Sequence, residues 1–148
     1  MPHLSVTGEF AADCDAVFDL LHDYDRRCEW DTLLRDARIV DAAEAGVGVE
    51  TVCTLKRSLG GLAFFTRYVT FERPRLAAVV LTRPLPLFKT FAASIRHRDT
   101  VPGRSELTYQ TTFTLHARWW WLQPIATRMI HWETKRRLRS LAAELKRI

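Results

Sequence analysis

The sequence predicts an α+β fold in which a curved antiparallel sheet of about seven strands wraps around one long C-terminal helix. Segments with alternating apolar residues recur up to residue 115 and are separated by turns rich in glycine and proline, which is typical of antiparallel strands. Beyond Trp121 the apolar residues recur at helical spacing. Two short helices are expected after the first strand, because apolar residues there follow a helical period.

The N-terminal third supplies the first strand and both short helices. Alternation predicts a strand over Leu4–Phe10. Asp13 is expected to cap the first helix, whose apolar stripe ends at Tyr24, and Asp23–Trp30 favours a second short helix or turn. The stripe of the first helix consists of Val17, Leu20, Leu21 and Tyr24.

The middle of the chain predicts six further strands joined by hairpin turns. The turns are expected at Ala45–Gly48, Ser58–Gly61 and Asp99–Gly103, with a loop marked by Pro84 and Pro86. The predicted strands are Arg38–Asp41, Val49–Lys56, Leu62–Glu72, Leu76–Thr82, Phe88–His97 and Leu107–Leu115.

The last segment predicts a helix over Leu122–Lys146, about 37 Å long. Pro124 lies within its first turn, where proline is tolerated. One face is apolar near the C-terminus and mixed near the N-terminus, which favours a cavity with a few polar groups over a closed core. The alternative is that the polar residues of this face lie at the edge of the core and meet solvent. This face comprises Leu138, Leu141, Leu145 and Ile148, and then Ile130 and Thr134 flanked by Thr127 and His131.

Length and composition indicate one domain over residues 1–148. The chain is 47% hydrophobic and 26% charged, with a net charge of +5, as expected of an ordinary soluble globular protein. It has no apolar run of the roughly 20 residues that span a bilayer, and its N-terminus does not resemble a secretory signal. Cys14, Cys28 and Cys53 are odd in number and lack metal-ligand spacing, so we expect a reduced, cytoplasmic protein.

Several segments of the chain match the pattern of one known superfamily. They are residues 12–21, 23–31 with its final Trp30-Asp31, Gly46-Val47-Gly48, Arg67-Tyr68-Val69, Arg73-Pro74-Arg75 and 133–141. With these segments the chain resembles the START/Bet v 1-like superfamily, the helix-grip fold also called SRPBCC, and looks similar to its bacterial polyketide cyclase/dehydrase and lipid-transport-like branch. The resemblance implies a hydrophobic tunnel between sheet and helix for lipids, sterols, polyketides or other apolar molecules, with no universal catalytic motif.

Strand alternation and the mixed helix face identify candidate ligand-binding residues. An error of one residue in a strand would exchange its inward and outward sets, and the strand Leu62–Glu72 is ambiguous because both of its faces are partly apolar. The candidates are Trp30, Cys53, Phe65, Arg67, Val69, Phe91, Tyr109, Thr111, Phe113, Thr127, Ile130, His131 and Thr134.

Arg67 has two interpretations. If Phe65, Val69 and Phe71 point into the cavity, Arg67 points in with them and binds an acidic or keto group, with Tyr109 or His131 as a second contact. Otherwise Arg67 lies on the solvent face in a cross-strand pair, which we weigh more heavily.

The candidate acid–base groups are His97 and His131, because histidine titrates near neutral pH. A cyclase or dehydratase would need one of them beside the ligand, with Tyr109 or Arg67 stabilising an enolate. We favour the alternative that each histidine has no catalytic role and is a residue of the cavity rim or of the structural core. The sequence indicates no cofactor site, no metal site and no phosphate loop.

The run Trp119-Trp120-Trp121 precedes the long helix, which carries a second apolar stripe away from Leu138. The tryptophans could close one end of the core, form a homodimer contact, or enter a membrane interface beside basic side chains. Nucleic-acid binding is not expected, because Glu133 and Glu144 interrupt the basic terminal helix. The second stripe is Leu122, Ile125, Met129 and Trp132.

Three functions remain open from the sequence. The leading one is binding or transport of a small hydrophobic ligand, such as a lipid or polyketide-like molecule. The second is a cofactor-independent polyketide cyclase or dehydratase that uses a cavity histidine. The third is a protein-interaction module with a vestigial cavity, which would require a filled interior.

Overall fold

The computed structural model describes residues 3–40, 44–83 and 85–147, and these residues form one seven-stranded antiparallel sheet and a long C-terminal helix. The strands are β1 His3–Phe10, β2 Leu34–Ile39, β3 Glu50–Leu55, β4 Ala63–Glu72, β5 Leu76–Leu81, β6 Phe88–Val101 and β7 Arg104–Leu115. The helices are α1 Cys14–Leu21, α2 Arg27–Trp30 and α3 Gln123–Arg147, with 3₁₀ helices at Arg57–Leu59 and Ala117–Leu122.

The strands are arranged in the order β1-β7-β6-β5-β4-β3-β2. All neighbouring strands from β2 to β7 are joined in sequence, and β1 pairs with β7. The sheet curls around α3, because its concave apolar face must be covered and α3 is the long element that can cover it. The predicted α+β helix-grip architecture is therefore confirmed.

The largest differences between predicted and observed strand boundaries are in β2 and in the β6–β7 hairpin. The predicted strand Arg38–Asp41 instead occupies Leu34–Ile39, because buried Leu34 pairs with Leu55 of β3; Asp41 lies outside the described residues. The predicted turn at Asp99–Gly103 begins later, since β6 continues to Val101 while its ladder with β7 is maintained. Pro84 of the predicted loop also lies outside the described residues.

Helix α3 packs closely on β1. Leu138 and Leu141 are buried and Leu145 packs beside them, as predicted, whereas Ile148 lies outside the described residues. Gly8 lies where the helix passes the strand, and a Cβ there would be 3.4 Å from Cδ1 of Leu138. That distance is at the close end of ordinary van der Waals contact, so α3 and β1 pack tightly at this point.

The start of α1 is held by residues of the β6–β7 hairpin. Asp13 occupies the N-cap position as predicted, but its side chain makes no cap hydrogen bond within α1. Its carboxylate accepts instead from the Gly103 amide at 3.1 Å. The free amide of Cys14 donates to Asp99 at 3.0 Å. These contacts attach α1 to the end of the sheet at which β6 and β7 are connected, so that the apolar side of α1 packs into the core.

In the described part of the chain, no helix is both long enough and apolar enough to cross a bilayer.

Candidate functional site

A cavity of about 240 Å³ lies between the concave face of the sheet and α3. Its walls are mostly apolar side chains of β3, β4, β6, β7 and α3. Met129 both lines the cavity and is 57% exposed, so the cavity reaches the surface beside the first turns of α3. A filled interior, which the interaction-module hypothesis required, is not what the structure contains.

Six of the predicted residues line this cavity. They come from four different elements, which alternation and helical spacing bring to a common space. These six residues are Cys53, Phe91, Tyr109, Thr111, Ile130 and Thr134.

Three predicted residues of β4 face away from the cavity. Arg67 and Val69 are exposed, so the register that turns Arg67 inward is wrong. Phe65 lies under the guanidinium of Arg83, 3.9 Å from ring centroid to Cζ, and does not line the cavity. The inward side chains of this part of β4 are Phe64, Thr66 and Tyr68.

A β-bulge explains why alternation misleads on β4. The pairing with β5 shifts between Tyr68 and Thr70, so that Val69 is the extra residue. Beyond the bulge the inward parity changes, and Phe71 packs against Phe18 and Tyr68 as expected of an inward residue. Because of the bulge, strict alternation along the whole strand cannot predict the orientation of both Phe71 and the residues before Val69.

The remaining predicted residues lie beside the cavity and not on its wall. Trp30 and Phe113 are buried in the core, at 3% and 0% exposure, where Phe113 contacts the edge of Phe88. Thr127 and His131 are absent from the wall because they lie on the flank of α3. The row of α3 that faces the cavity is Ala126, Ile130, Glu133, Thr134 and Arg137.

A buried charge cluster, which the sequence analysis missed, forms one part of the wall. Oδ2 of Asp31 accepts hydrogen bonds from Nε of Arg27 at 2.9 Å and from Nε of Arg137 at 3.2 Å. Its Oδ1 accepts from the Leu33 amide at 3.0 Å. Both arginines line the cavity, and two guanidinium groups around one carboxylate leave an excess of positive charge there.

Aromatic rings lie close to the guanidinium groups of both arginines. The Arg27 guanidinium lies 5.1 Å from the Trp30 ring and 5.6 Å from the Tyr24 ring, and its Nη1 donates to the Leu21 carbonyl. The Arg137 guanidinium lies 5.7 Å from the Tyr109 ring. Contacts of this kind stabilise a partly desolvated cation.

Electrostatics keep this cluster charged. Burial raises the pKa of Asp31, but the charges of Arg137 and Arg27 outweigh it and hold that pKa below its usual value. Burial lowers the pKa of Arg27, yet the Asp31 carboxylate more than compensates, so the pKa is raised. The same balance of burial and Asp31 raises the pKa of Arg137. All three groups therefore remain ionised at neutral pH.

A second polar cluster joins α1 to β4. The Tyr68 hydroxyl lies 2.7 Å from Nδ1 of His22 and 2.9 Å from the Tyr24 hydroxyl, and all three residues line the cavity. Burial, reinforced by the charge of Arg27, lowers the pKa of His22 well below its ordinary value. Burial raises the pKa of Tyr68 and of Tyr24. The cluster is therefore neutral near pH 7.

The histidines predicted as catalytic candidates do not line the cavity. His97 is 4% exposed and packs against Phe18, with 5.3 Å between ring centroids. Its two ring nitrogens have no hydrogen-bond partner among the described residues, and burial lowers its pKa to about 4. His131 is half-buried on the flank of α3. His22 is the histidine on the cavity wall.

Only weak signals in the sequence could have identified these groups. Arg137 follows Ile130 and Thr134 at the spacing of one helix face, which would have placed it on the wall. Arg27 belongs to a helix of one turn, where no period can be recognised. His22 directly follows the end of α1, where helical spacing no longer predicts the direction of a side chain.

The tryptophan run does not close one end of the core, because two of its three rings are exposed. Trp120 and Trp121 are 72% and 55% exposed, whereas Trp119 is half-buried. Indole Nε1 of Trp121 donates to the Arg118 carbonyl at 3.2 Å. The exposed rings therefore belong to the surface of the 3₁₀ helix Ala117–Leu122.

Among the comparisons with known proteins, a family profile shows the family and two solved structures show the same fold. A family profile described as "Polyketide cyclase / dehydrase and lipid transport" matches residues 1–146. A START superfamily protein from Mycobacterium smegmatis is 11% identical, with a TM-score of 0.81 over 98% of this chain and 97% of its own. The Zhui aromatase/cyclase from Streptomyces sp. R1128 is 15% identical, with a TM-score of 0.84 over 99% of this chain and 94% of its own. The search of curated protein sequences gave no significant match.

Proposed function

Because the chain belongs to the polyketide cyclase/dehydrase and lipid transport family, we propose that it binds a compact apolar molecule carrying a carboxylate or carbonyl group. The observation that carries the proposal is the excess positive charge of Arg27 and Arg137 on the wall of an otherwise apolar cavity. Such a cavity combines a desolvating enclosure with one polar anchor.

The apolar wall supplies the larger part of the binding free energy. Each methylene group of a ligand that leaves water for this wall contributes about 0.8 kcal/mol. The volume of about 240 Å³ lies just below the roughly 300–1,000 Å³ of pockets for drug-sized ligands. We therefore expect a single ring system or a short chain inside the cavity, and not an entire sterol.

The arginines supply selectivity for the head group. Asp31 neutralises one of the two positive charges, and the other can be neutralised by a ligand anion at the same wall. A hydrogen bond to a charged group contributes about 1.5–3 kcal/mol. Glu133 also lines the cavity, with its Oε1 3.8 Å from Nη1 of Arg136 and its Oε2 without a hydrogen-bond partner among the described residues. The selectivity therefore requires that the ligand anion lie beside Arg27 and Arg137 and not beside this carboxylate.

Calorimetric titration with octanoate and 1-octanol tests the anchor, because the two probes share a chain and differ in charge. Octanoate should bind about tenfold more tightly than 1-octanol, which corresponds to about 1.4 kcal/mol. Arg137→Met should abolish that preference, since it leaves the Arg27–Asp31 pair without excess charge. Arg67→Met on the exposed face is the matched control and should keep it. Equal affinity of wild-type protein for the two probes, or binding of neither, would contradict the proposal.

Cyclisation or dehydration of a polyketide-type substrate is the second candidate function. It is favoured by one observation, the 2.7 Å contact between His22 and Tyr68 on the cavity wall. A neutral imidazole can accept a proton and a tyrosine can polarise a carbonyl oxygen. Incubation with a linear poly-β-keto thioester should then yield an aromatic absorbance that His22→Gln removes. The absence of turnover by wild-type protein leaves ligand binding as the function.

A further inference from the structure

Five large apolar side chains are exposed on the surface formed by the start of α3 and the 3₁₀ helix before it. We call this surface the tryptophan face. Ile125, Met129 and Trp132 are spaced by four and three residues, and therefore point to the same side of α3. The members are Trp120, Trp121, Ile125, Met129 and Trp132, and each is more than half exposed, from 55% to 72%.

Basic side chains surround this face. Arg128 lies between Ile125 and Trp132 on the same side of α3, and the next turns of that side are also basic and exposed. The basic side chains that follow it along this side are Lys135, Arg136 and Arg139.

Acidic side chains are turned away from the tryptophan face. The sequence holds no Asp or Glu between Glu106 and Glu133. Glu133 is 15% exposed and lines the cavity, and Glu144 is 8% exposed and lies within 3.4 Å of Arg26. Among the residues described for α3, the exposed side therefore combines apolar and cationic groups without a carboxylate.

We propose that the tryptophan face docks on the surface of a bilayer that contains anionic phospholipid. Tryptophan is favoured at the level of the lipid head groups. An amphipathic helix with aromatic and basic side chains on one face lies in the plane of that interface. Arginine and lysine near an anionic lipid surface add to the attraction. A lipid surface fits this face because exposed apolar side chains and basic side chains are present on it together.

A second copy of the chain fits this face less well. In a two-fold symmetric dimer the same surface meets itself. Arg128 would then approach the Arg128 of the other copy, with Arg136 and Arg139 close behind. Glu133 lies 3.8 Å from Arg136 and offsets part of its charge, but the described residues place no carboxylate in an ion pair with Arg128 or Arg139. Repulsion between the two copies therefore remains, whereas an anionic bilayer neutralises these charges.

The docked orientation also connects the lipid surface to the cavity. Met129 belongs to the tryptophan face and lines the cavity. Leu87 and Phe88 line the same cavity and are half-buried. When the protein is docked, the opening of its cavity therefore faces the acyl chains of the bilayer. An apolar ligand could be exchanged through this opening only if the protein has the ligand-binding function proposed above. Docking itself does not require a ligand.

Sedimentation with vesicles tests the docking. The probes are vesicles of phosphatidylcholine alone and of phosphatidylcholine mixed with phosphatidylglycerol. Wild-type protein should sediment with the anionic vesicles, with a blue shift of tryptophan fluorescence, and salt should weaken the binding. Arg128→Ala should weaken it about fivefold, and Trp132→Ala should weaken it and reduce the shift. Both residues are exposed, so folding is not at risk.

Exposed residues of the sheet provide the matched controls. Arg67→Ala and Val69→Ala remove a charge and an apolar side chain far from α3 and should leave vesicle binding unchanged. The proposal is overturned if the protein ignores anionic vesicles, if the controls weaken binding as much as the α3 variants, or if Trp132→Ala dissolves a dimer seen without vesicles. Loss of vesicle binding would leave octanoate binding intact, so the two proposals can fail separately.

Discussion

His97 shows at the level of one residue how burial creates a dependence of stability on pH. The ring lies between the sheet and Phe18, and its nitrogens have no partner among the described residues. A charged imidazole at this position would lose its hydration without gaining a hydrogen bond. Burial therefore holds the pKa at about 4, against an ordinary value of 6.5.

Replacing His97 by leucine should flatten the dependence of stability on pH. Below pH 6.5 the His97 imidazole is protonated in the unfolded chain but stays neutral in the folded chain. The free energy of unfolding therefore falls until the pH reaches about 4, where the folded chain also binds the proton. Between pH 7 and pH 5 the wild type should lose about 2 kcal/mol through this residue, and His22 adds a loss of the same sign. Urea unfolding at both pH values measures the difference.

Exposed His3 provides the control. His3→Leu should keep the wild-type loss, while His97→Leu should lose less stability on acidification. The same loss in His97→Leu and in the wild type would show that protons are not excluded at this position.

The wall residues differ in how far sequence could predict them. Alternation predicts the orientation of Tyr109 and Thr111 correctly, because the alternation of inward and outward side chains along β7 is not interrupted between Leu107 and Leu115. Arg67 was ambiguous because both faces of β4 are partly apolar, and a bulge changes the parity at Val69. Arg27 was missed because arginines are mostly exposed, and the buried carboxylate that pairs with it, Asp31, becomes its neighbour only in the folded chain.

Asp31 acts at the level of elements, because its carboxylate joins α2 to α3. Arg27 belongs to α2 and Arg137 to α3, and both bind the same oxygen. Ser140 adds a second link by donating its hydroxyl hydrogen to the Trp30 carbonyl. The polar wall of the cavity therefore also fixes the position of the long helix over the sheet.

Asp31→Asn should strongly destabilise the protein, because two buried guanidinium groups would lose their common counter-charge. The expected cost is about 3–5 kcal/mol. Asp36→Asn removes a carboxylate whose partner Arg38 is exposed, and should cost less than about 1 kcal/mol. Urea unfolding at pH 7 compares the two variants, and equal costs would mean that Asp31 is not the joint between α2 and α3.

The elements themselves were largely predictable, and the exact face of α3 was not. Leu138 and Leu141 mark the side that meets the sheet because they are apolar at helical spacing. Near the N-terminus of α3 the spacing allowed Thr127 and His131 as neighbours of Ile130, whereas the helix turns Ala126 and Glu133 to the cavity. A rotation of this size depends on contacts with β1, including the approach at Gly8, which no local pattern records.

At the scale of the whole molecule, the sheet, α3 and the helices of the N-terminal third enclose a space that their side chains do not fill. The apolar wall, the excess positive charge of Arg27 and Arg137 and the opening beside Met129 are features of one cavity. Its volume of about 240 Å³ depends on the distance between α3 and the sheet. The central claim is that this space accommodates a ligand.

Native mass spectrometry of two alanine variants of α3, mixed with octanoate, tests that claim most directly. Ala126 is 5% exposed and lines the cavity, whereas Ala143 is exposed on the same helix. Ala126→Leu extends a side chain into the cavity, and Ala143→Leu makes the same change outside it. The account predicts a complex with one octanoate for the wild type and Ala143→Leu, and its loss in Ala126→Leu. A complex of equal abundance in all three proteins, or in none of them, would contradict it.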